Sequence, residues 1–229
     1  MRNTFVLSAL LGAAGFMQPA LAQDRKPDLR ERALTREVVA EFGQCAADRR
    51  PAVASAYVLK DFDERISDDD WRRLVDRRCM RLRSGELRMD QLSFRGALAR
   101  QLIIQQLGDV VLSDLDTAPP LAWQEPAAPQ LASVSAGERK PLEDAYAQRV
   151  QYLYVARLGE CLVRRDPAGA RRLIEADGGS AGEREAIAAL SPALIGCVPI
   201  GEQVRLDRAT LRAGTAISYY RLAAARGQG

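Results

Sequence analysis

The chain has 229 residues, of which 47% are apolar and 28% charged, and its formal net charge at pH 7 is +3. This balance is typical of a folded globular protein, and it excludes a disordered polyelectrolyte and a bundle of membrane helices. The sequence contains no histidine, which excludes triads with an imidazole base, histidine metal ligands and imidazole pH switches. Because the net charge is close to zero, we expect no nucleic-acid partner.

The first 22 residues have the three parts of a secretory signal peptide. Arg2 provides a positive charge, residues 5–16 form a short apolar run, and Pro19 is followed by an A-x-A cleavage pattern at 20–22. The run is shorter than the ~20 residues that a membrane-spanning helix needs. We therefore expect cleavage after Ala22, a periplasmic or secreted product, and no transmembrane segment in the mature chain.

Two pairs of segments within the chain are similar to each other. Residues 36–51 match residues 152–167 at an offset of 116, with six of sixteen positions identical and a shared Gly-x-Cys pair. Residues 88–99 match residues 205–216 at an offset of 117. Self-similarity at a constant spacing is typical of repeat architectures. We therefore predict that the chain is a tandem duplication of one structural unit.

Each copy has the pattern of four helices. Apolar residues recur at helical spacing in both first helices and lead to a cysteine (Leu34, Val38, Phe42 and Cys45; Val150, Tyr154, Leu158 and Cys161). Proline or capping side chains mark the helix starts that follow (Pro51, Ser67 and Asp90; Pro167, Ser180 and Asp207). The predicted fold class is therefore all-α, with one four-helix half at 28–112 and another at 142–226.

A proline-rich segment separates the copies. Residues 113–141 contain five of the eleven prolines of the chain, a composition that favours an extended and poorly helical linker. We expect Trp123, in the middle of this linker, to be held against one of the helical halves.

The four cysteines of the chain are Cys45, Cys79, Cys161 and Cys197. No close pair such as C-x-x-C occurs, so their spacing predicts neither a thioredoxin-like motif nor a structural zinc site. In an oxidising compartment we expect them to form disulfides. A unit that was copied whole closes its own bond, which predicts the pairs Cys45–Cys79 and Cys161–Cys197.

An arginine-rich segment at the third helix is a possible anion-binding site, formed by Arg72, Arg73, Arg77, Arg78, Arg81 and Arg83. Clustered arginines suit phosphate-rich or otherwise anionic ligands. However, Asp68 and Asp69 precede the first two arginines by four residues, and ion pairs form along a helix at that spacing. The sequence therefore favours a solvated, salt-bridged face and leaves weak anion binding as the alternative.

Two further patterns have a structural and a functional interpretation. Arginines seven positions apart flank a capping aspartate in both copies (Arg88, Asp90 and Arg95; Arg205, Asp207 and Arg212). We favour a helix cap whose neighbouring arginines pair with carboxylates of their own half. Most tyrosines lie in the second half (Tyr146, Tyr152, Tyr154, Tyr219 and Tyr220). Such a stripe is more typical of a core or an interface between halves than of a ligand groove.

The sequence contains none of the common catalytic motifs, such as G-x-S-x-G, S-x-x-K, a P-loop or G-x-G-x-x-G. We therefore predict a non-enzymatic exported protein without a cofactor or metal ion. Its role would be an interaction or structural module whose partner is a protein or another envelope component. The alternatives are a binding module for an anionic envelope ligand through residues 72–83 and, less favoured, a carboxylate-based glycan hydrolase.

Overall fold

The computed structural model describes residues 29–61, 66–79, 90–112, 114–199 and 206–226, so the predicted signal peptide lies outside the described residues. The α-helices are α1 (Leu29–Arg49), α2 (Pro51–Leu59), α3 (Asp68–Leu74), α4 (Gln91–Leu107), α5 (Ala136–Arg165), α6 (Pro167–Glu175), α7 (Ala181–Ile195) and α8 (Arg208–Arg226). The described residues include no β-strand, and the predicted all-α fold is confirmed. None of the helices described is both long enough and apolar enough to cross a membrane.

Short polar side chains begin the helices where the sequence predicts them. The Asp90 carboxylate accepts the backbone N–H of Ser93 at 2.9 Å, at the start of α4. Asp207 accepts the N–H of Thr210 at 2.8 Å, at the start of α8. Prolines occupy the first turns of α2 and α6. Each cap binds an N–H group that a helix start leaves without a backbone partner, and proline has no such group.

The two halves contain the same succession of elements: a long helix, a short helix that begins with proline, a capped third helix and a long fourth helix. Cys45–Cys79 joins α1 to the turn after α3, with a Cα–Cα distance of 5.5 Å. Cys161–Cys197 joins α5 to the end of α7 at 5.8 Å. The predicted disulfide pairing is confirmed. The order of elements agrees with a tandem duplication, which remains a prediction.

Helices α4 and α8, one from each half, pack against each other. A single apolar cluster contains Phe94 of α4 together with Ile217 and Tyr219 of α8. The backbone N–H of Leu112 donates to the Tyr219 hydroxyl at 3.2 Å inside this region. Tyr219 and Tyr220 are 0% and 6% exposed, as expected for tyrosines at an interface between halves. The halves therefore share this cluster, while a second cluster, which includes Leu158, Leu173 and Leu190, lies within the second half.

Glycines let the long helices of each half approach closely. A Cβ atom on Gly43 of α1 would overlap Ala97 of α4. A Cβ atom on Gly159 of α5 would lie 2.5 Å from the carbonyl oxygen of Gly214 of α8. The offsets of 116 and 117 make these two contacts equivalent. The same close helix packing therefore occurs at matched positions of the two halves.

The beginning of the proline-rich segment is fixed to α5 by one arginine. Arg164 donates to the carbonyl oxygens of Leu115, Asp116, Ala118 and Pro119 at 2.7 to 3.2 Å. A guanidinium presents five N–H donors in a rigid fork, which allows it to bind several carbonyls at once. This stretch of the linker therefore has a defined path along α5.

Glu160, one helical turn before Arg164, holds the next stretch of the linker. Its carboxylate accepts the backbone N–H of Leu121 at 3.1 Å and the indole N–H of Trp123 at 2.5 Å. The guanidinium of Arg221 from α8 lies 4.6 Å from the centre of the Trp123 ring, a cation–π distance. Trp123 is thus held between α5 and α8, as expected.

The linker is shorter than the sequence predicts. Helix α5 begins at Ala136, inside the predicted linker 113–141, and includes Pro141. Ser135 precedes the helix, and its hydroxyl donates to the Glu138 carboxylate at 2.6 Å. The serine and glutamate have the spacing of a capping box. A favourable helix start therefore outweighs the cost of Pro141, which removes only one backbone N–H donor near the start of the helix.

The third helix of the first half is also shorter than predicted. The sequence predicts a third helix that ends near Cys79, whereas α3 ends at Leu74 and a 3-10 turn follows at Arg77–Cys79. The Asp76 carboxylate accepts the backbone N–H of Arg78 at 2.9 Å. Such local side-chain bonds compete with the helical hydrogen-bond pattern, which explains the break.

Burial of the two first helices follows the prediction only in part. Phe42 and Leu158 are 2% and 3% exposed, but Val150 is 42% exposed. Residues 137–144 of α5 are all exposed. No helix among the described residues covers the first turns of α5, and the buried face begins later than the periodicity predicts.

Candidate functional site

The described part of the arginine-rich segment, predicted as a possible anion site, lies in α3 and the turn that follows it. Arg73 pairs with Asp69 at 2.6 Å, and both side chains are more than half exposed. The Arg72 Nε donates to the carbonyl oxygen of Asp68 at 3.1 Å. Three members of the set lie outside the described side chains, namely Arg77, Arg81 and Arg83.

Arg78 binds the carboxylate of Asp76 at 2.7 Å. The same carboxylate accepts a hydrogen bond from Arg49 of α1 at 3.1 Å. Hydrogen bonds from the side chain and backbone of Arg78, with a smaller contribution from Arg49, hold the pKa of the Asp76 carboxyl well below its usual range. Each described arginine side chain of the segment thus has an acceptor close to it in the chain.

The repeated arginine pattern of the fourth helices serves packing within each half. Arg95 is 1% exposed, lies 4.5 Å from the centre of the Tyr57 ring, and donates to the carbonyl oxygen of Asp61 at 3.0 Å. Arg212 pairs at 2.5 Å with Glu183, a carboxylate whose side chain is only 3% exposed. Arg212 pairs with a carboxylate of its own half, as predicted, whereas Arg95 contacts a backbone carbonyl oxygen and an aromatic ring of its own half. The other two members, Arg88 and Arg205, lie outside the described residues.

A polar cleft beside the first disulfide contains two carboxylates, those of Glu41 and Asp48 from α1. The Asp48 carboxylate accepts hydrogen bonds from the side-chain amides of Gln101, at 2.8 Å, and Gln105. Two carboxylates in one cleft are the minimum for glycan hydrolysis, but here one of them is committed to two amide donors. The described part of the chain contains no group of acidic or cysteine side chains arranged to hold a metal ion.

A second cleft opens where α1, α4 and α8 meet, and we call it the three-helix cleft. Its volume is about 120 Å³. Small side chains form its wall: Val39, Ala40, Gly96, Ala97, Ala209, Ala213 and Ala216. An apolar cavity of about 150 Å³ in another protein takes up benzene. The three-helix cleft is therefore large enough for a small apolar group.

Three arginines, one from each helix, line the three-helix cleft: Arg36, Arg100 and Arg212. Arg100 donates to the carbonyl oxygens of Ile174 and Glu175 at the end of α6, both at 2.9 Å. Arg212 is held by its buried acid. Arg36 is exposed and forms no hydrogen bond or ion pair with the residues that the structure describes.

The charges in the three-helix cleft act on one another. Burial is the largest effect that lowers the pKa of Arg212; Glu183 opposes it, and the positive charges of Arg100 and Arg36 lower this pKa further. Asp90 also lines the cleft, but its carboxylate accepts the N–H and the hydroxyl of Ser93 at 2.9 and 2.6 Å. The cleft thus combines an apolar wall with clustered guanidinium groups.

Sequence reasoning missed this cleft. It identified Arg212 only as part of a repeated pattern and did not consider Arg36 or Arg100. The available signal was the run of small residues in α4 and α8, which allows helices to approach closely. Position in the chain could not show that arginines from three separate helices line one cleft.

Comparison with known proteins gives no match to a protein-family model, a curated protein or a solved structure. The function of this chain must therefore be inferred from its own residues.

Proposed function

We propose that this chain is an exported, non-enzymatic binding protein that holds a small, partly apolar ligand in the three-helix cleft. The signal-like sequence at 1–22 supports export. The two disulfides agree with it, because such bonds persist in oxidising compartments. The ligand would be a component of the envelope or of its surroundings.

The observation that supports this proposal most strongly is an open apolar cleft between closely packed helices. Protein interiors contain few voids larger than a water molecule. Here Gly96 and Ala213 bring α4 and α8 into contact, with a Cβ on Gly96 lying 2.5 Å from the Ala213 Cβ, and the cleft persists beside that contact. A mostly apolar pocket with a few charged groups is the usual form of a small-molecule site.

The alternative functions have less structural support. An anion site at residues 72–83 would have to displace acceptors that Arg72, Arg73 and Arg78 already have. A carboxylate hydrolase at the polar cleft would have to free Asp48 from two amide donors. A ligand in the three-helix cleft would not have to displace either set of contacts.

The proposal is tested by filling the three-helix cleft. Ala209 lines it, and Ala209→Leu should occupy its apolar space. Ala189→Leu, on the exposed side of α7, is the matched control. Hexanoate and hexan-1-ol are added to the ¹⁵N-labelled full chain, and amide shifts are recorded for each variant.

We expect the shifts to cluster on α1, α4 and α8 in the native chain and in the control, and to disappear in Ala209→Leu. Circular dichroism establishes that both variants are folded. Shifts that lie elsewhere, or that persist unchanged when the cleft is filled, would contradict the proposal.

A further inference from the structure

The three-helix cleft should have a counterpart on the other side of the α4–α8 pair. Gly96 and Ala213 are equivalent positions at the offset of 117, and they meet each other in the structure. Contact between equivalent residues is what a two-fold relation between two copies produces. The matched contacts of α1 with α4 and of α5 with α8 support the same relation. A second cleft would therefore lie between α5, α8 and α4.

Large apolar side chains occupy that counterpart. Positions 36, 100 and 209 of the three-helix cleft correspond to Tyr152, Ile217 and Leu92 at the two offsets. Ile217 is 0% exposed and Leu92 5% exposed, and Tyr152 packs against the main apolar cluster. Where the counterpart has these three large side chains, the three-helix cleft has two arginines and an alanine.

The open space is thus present in one of the two equivalent clefts and is not a packing defect common to both. Compared with its counterpart, the three-helix cleft lacks three large apolar side chains and therefore buries less apolar area, which lowers the stability of the fold. Arginines at two of these positions also bring positive charges close to Arg212, and like charges repel. A ligand that supplies both apolar bulk and a negative charge would compensate for both losses.

The partners of each arginine indicate where such a charge would bind. Arg212 already has Glu183. Arg100 binds two carbonyl oxygens, and its nearest acid, Asp177, is 3.6 Å away with a side chain 93% exposed. Arg36 has no partner among the described residues. The carboxylate of Asp90, which also lines the cleft, accepts two hydrogen bonds from Ser93. The charge without a partner therefore lies at Arg36, beside the partly satisfied Arg100.

We propose that the three-helix cleft is specific for an alkyl monocarboxylate, whose short chain packs on the alanine and glycine wall and whose carboxylate binds Arg36 and Arg100. This specificity rests on the binding function proposed above. A charged hydrogen bond between guanidinium and carboxylate is stronger than a neutral one, so it selects the acid over the alcohol of the same chain length.

The test compares three probes of equal chain length: hexanoate, hexan-1-ol and hexylammonium. Each is titrated into the full chain, and dissociation constants are obtained from amide shifts. We expect hexanoate to bind about fivefold more tightly than hexan-1-ol, and hexylammonium to bind more weakly than either. Arg36→Gln should remove the preference for hexanoate and leave the affinity for hexan-1-ol unchanged. Arg139→Gln, at an exposed position of α5, is the charge-matched control and should change neither affinity.

Equal affinity for hexanoate and hexan-1-ol, or an unchanged preference in Arg36→Gln, would overturn the carboxylate specificity and leave the binding function intact. Absence of cleft shifts with all three probes would overturn both. The double variant Arg36→Tyr/Ala209→Leu copies two side chains of the filled counterpart. We expect it to lose hexanoate binding and to melt at a higher temperature. A lower melting temperature would show that the two clefts are not equivalent and would overturn the inference.

Discussion

Arg164 is a single residue that determines the path of a segment whose composition favours flexibility. Its guanidinium binds four carbonyl oxygens between Leu115 and Pro119, and it also pairs with Glu160 at 2.8 Å. Lysine has a compact ammonium group and cannot donate to so many separate acceptors. The planar fork of arginine is therefore what this position requires.

We expect Arg164→Lys to lower the free energy of unfolding by about 2 kcal/mol, because several hydrogen bonds from a charged group are lost. Arg157→Lys is the control, since Arg157 pairs with Glu125 at a site where both side chains are at least half exposed and should contribute less than about 1 kcal/mol. Denaturant unfolding measures both values, and limited proteolysis monitors residues 115–125. Equal losses for the two variants would argue against the role of Arg164.

At the scale of elements, helices α5 and α8 can approach each other closely because glycines, which have no Cβ atom, lie at their contact. Gly159 faces the backbone of Gly214, and the hydroxyl of Ser218 donates to the carbonyl oxygen of Ala156 at 2.9 Å beside it. Both contacts need the two helix backbones to be close. Gly137, in the first turn of the same α5 helix, has nothing within 4 Å of its Cβ position.

The two glycines of α5 should therefore respond oppositely to the same substitution. Gly159→Ala should lower the free energy of unfolding by about 2 kcal/mol, because the added methyl group forces α5 and α8 apart. Gly137→Ala should be neutral or raise it by up to about 1 kcal/mol, because alanine is the better helix former. Chemical denaturation of both variants provides the measurement. A small effect at Gly159 would contradict the close packing.

At the scale of the whole molecule, the two halves, each closed by its own disulfide, pack together through a shared apolar cluster. Sequence reasoning expects two separately closed units, so that loss of one disulfide would leave the other half nearly intact. The structure instead places Phe94 of one half and Ile217 of the other in one apolar cluster. Because this cluster contains residues of both halves, separating the halves would expose apolar side chains of each, so neither half should unfold independently of the other.

We therefore expect each disulfide double variant, Cys45→Ala/Cys79→Ala or Cys161→Ala/Cys197→Ala, to unfold in a single transition. Each loss should cost about 3.8 kcal/mol from loop entropy, since the bonds span 34 and 36 positions. Coincident denaturation curves from circular dichroism and tryptophan fluorescence would establish the single transition. Two separate transitions would show that the halves fold independently.

Much of the local structure and both disulfides can be predicted from the order of residues along the chain. Helical periodicity predicted an all-α chain, short polar residues such as Asp90 and Asp207 predicted helix starts, and the matched order of cysteines predicted both disulfides. These features depend on residues that are near in sequence or on the comparison of one copy with the other. The helix bounds predicted from the sequence were wrong where a local side-chain hydrogen bond breaks or starts a helix, as at Asp76 and at Ser135.

The packing of the halves and the position of the cleft depend on contacts between residues that are distant in the chain. Arg36, Arg100 and Arg212 belong to three helices that are far apart in the chain, and their proximity follows from the packing of α4 on α8 and α1. The offsets of 116 and 117 indicate which residues are equivalent, but they do not reveal that Gly96 and Ala213 touch. A cleft forms where side chains from distant segments leave space unfilled, and that depends on their arrangement in three dimensions.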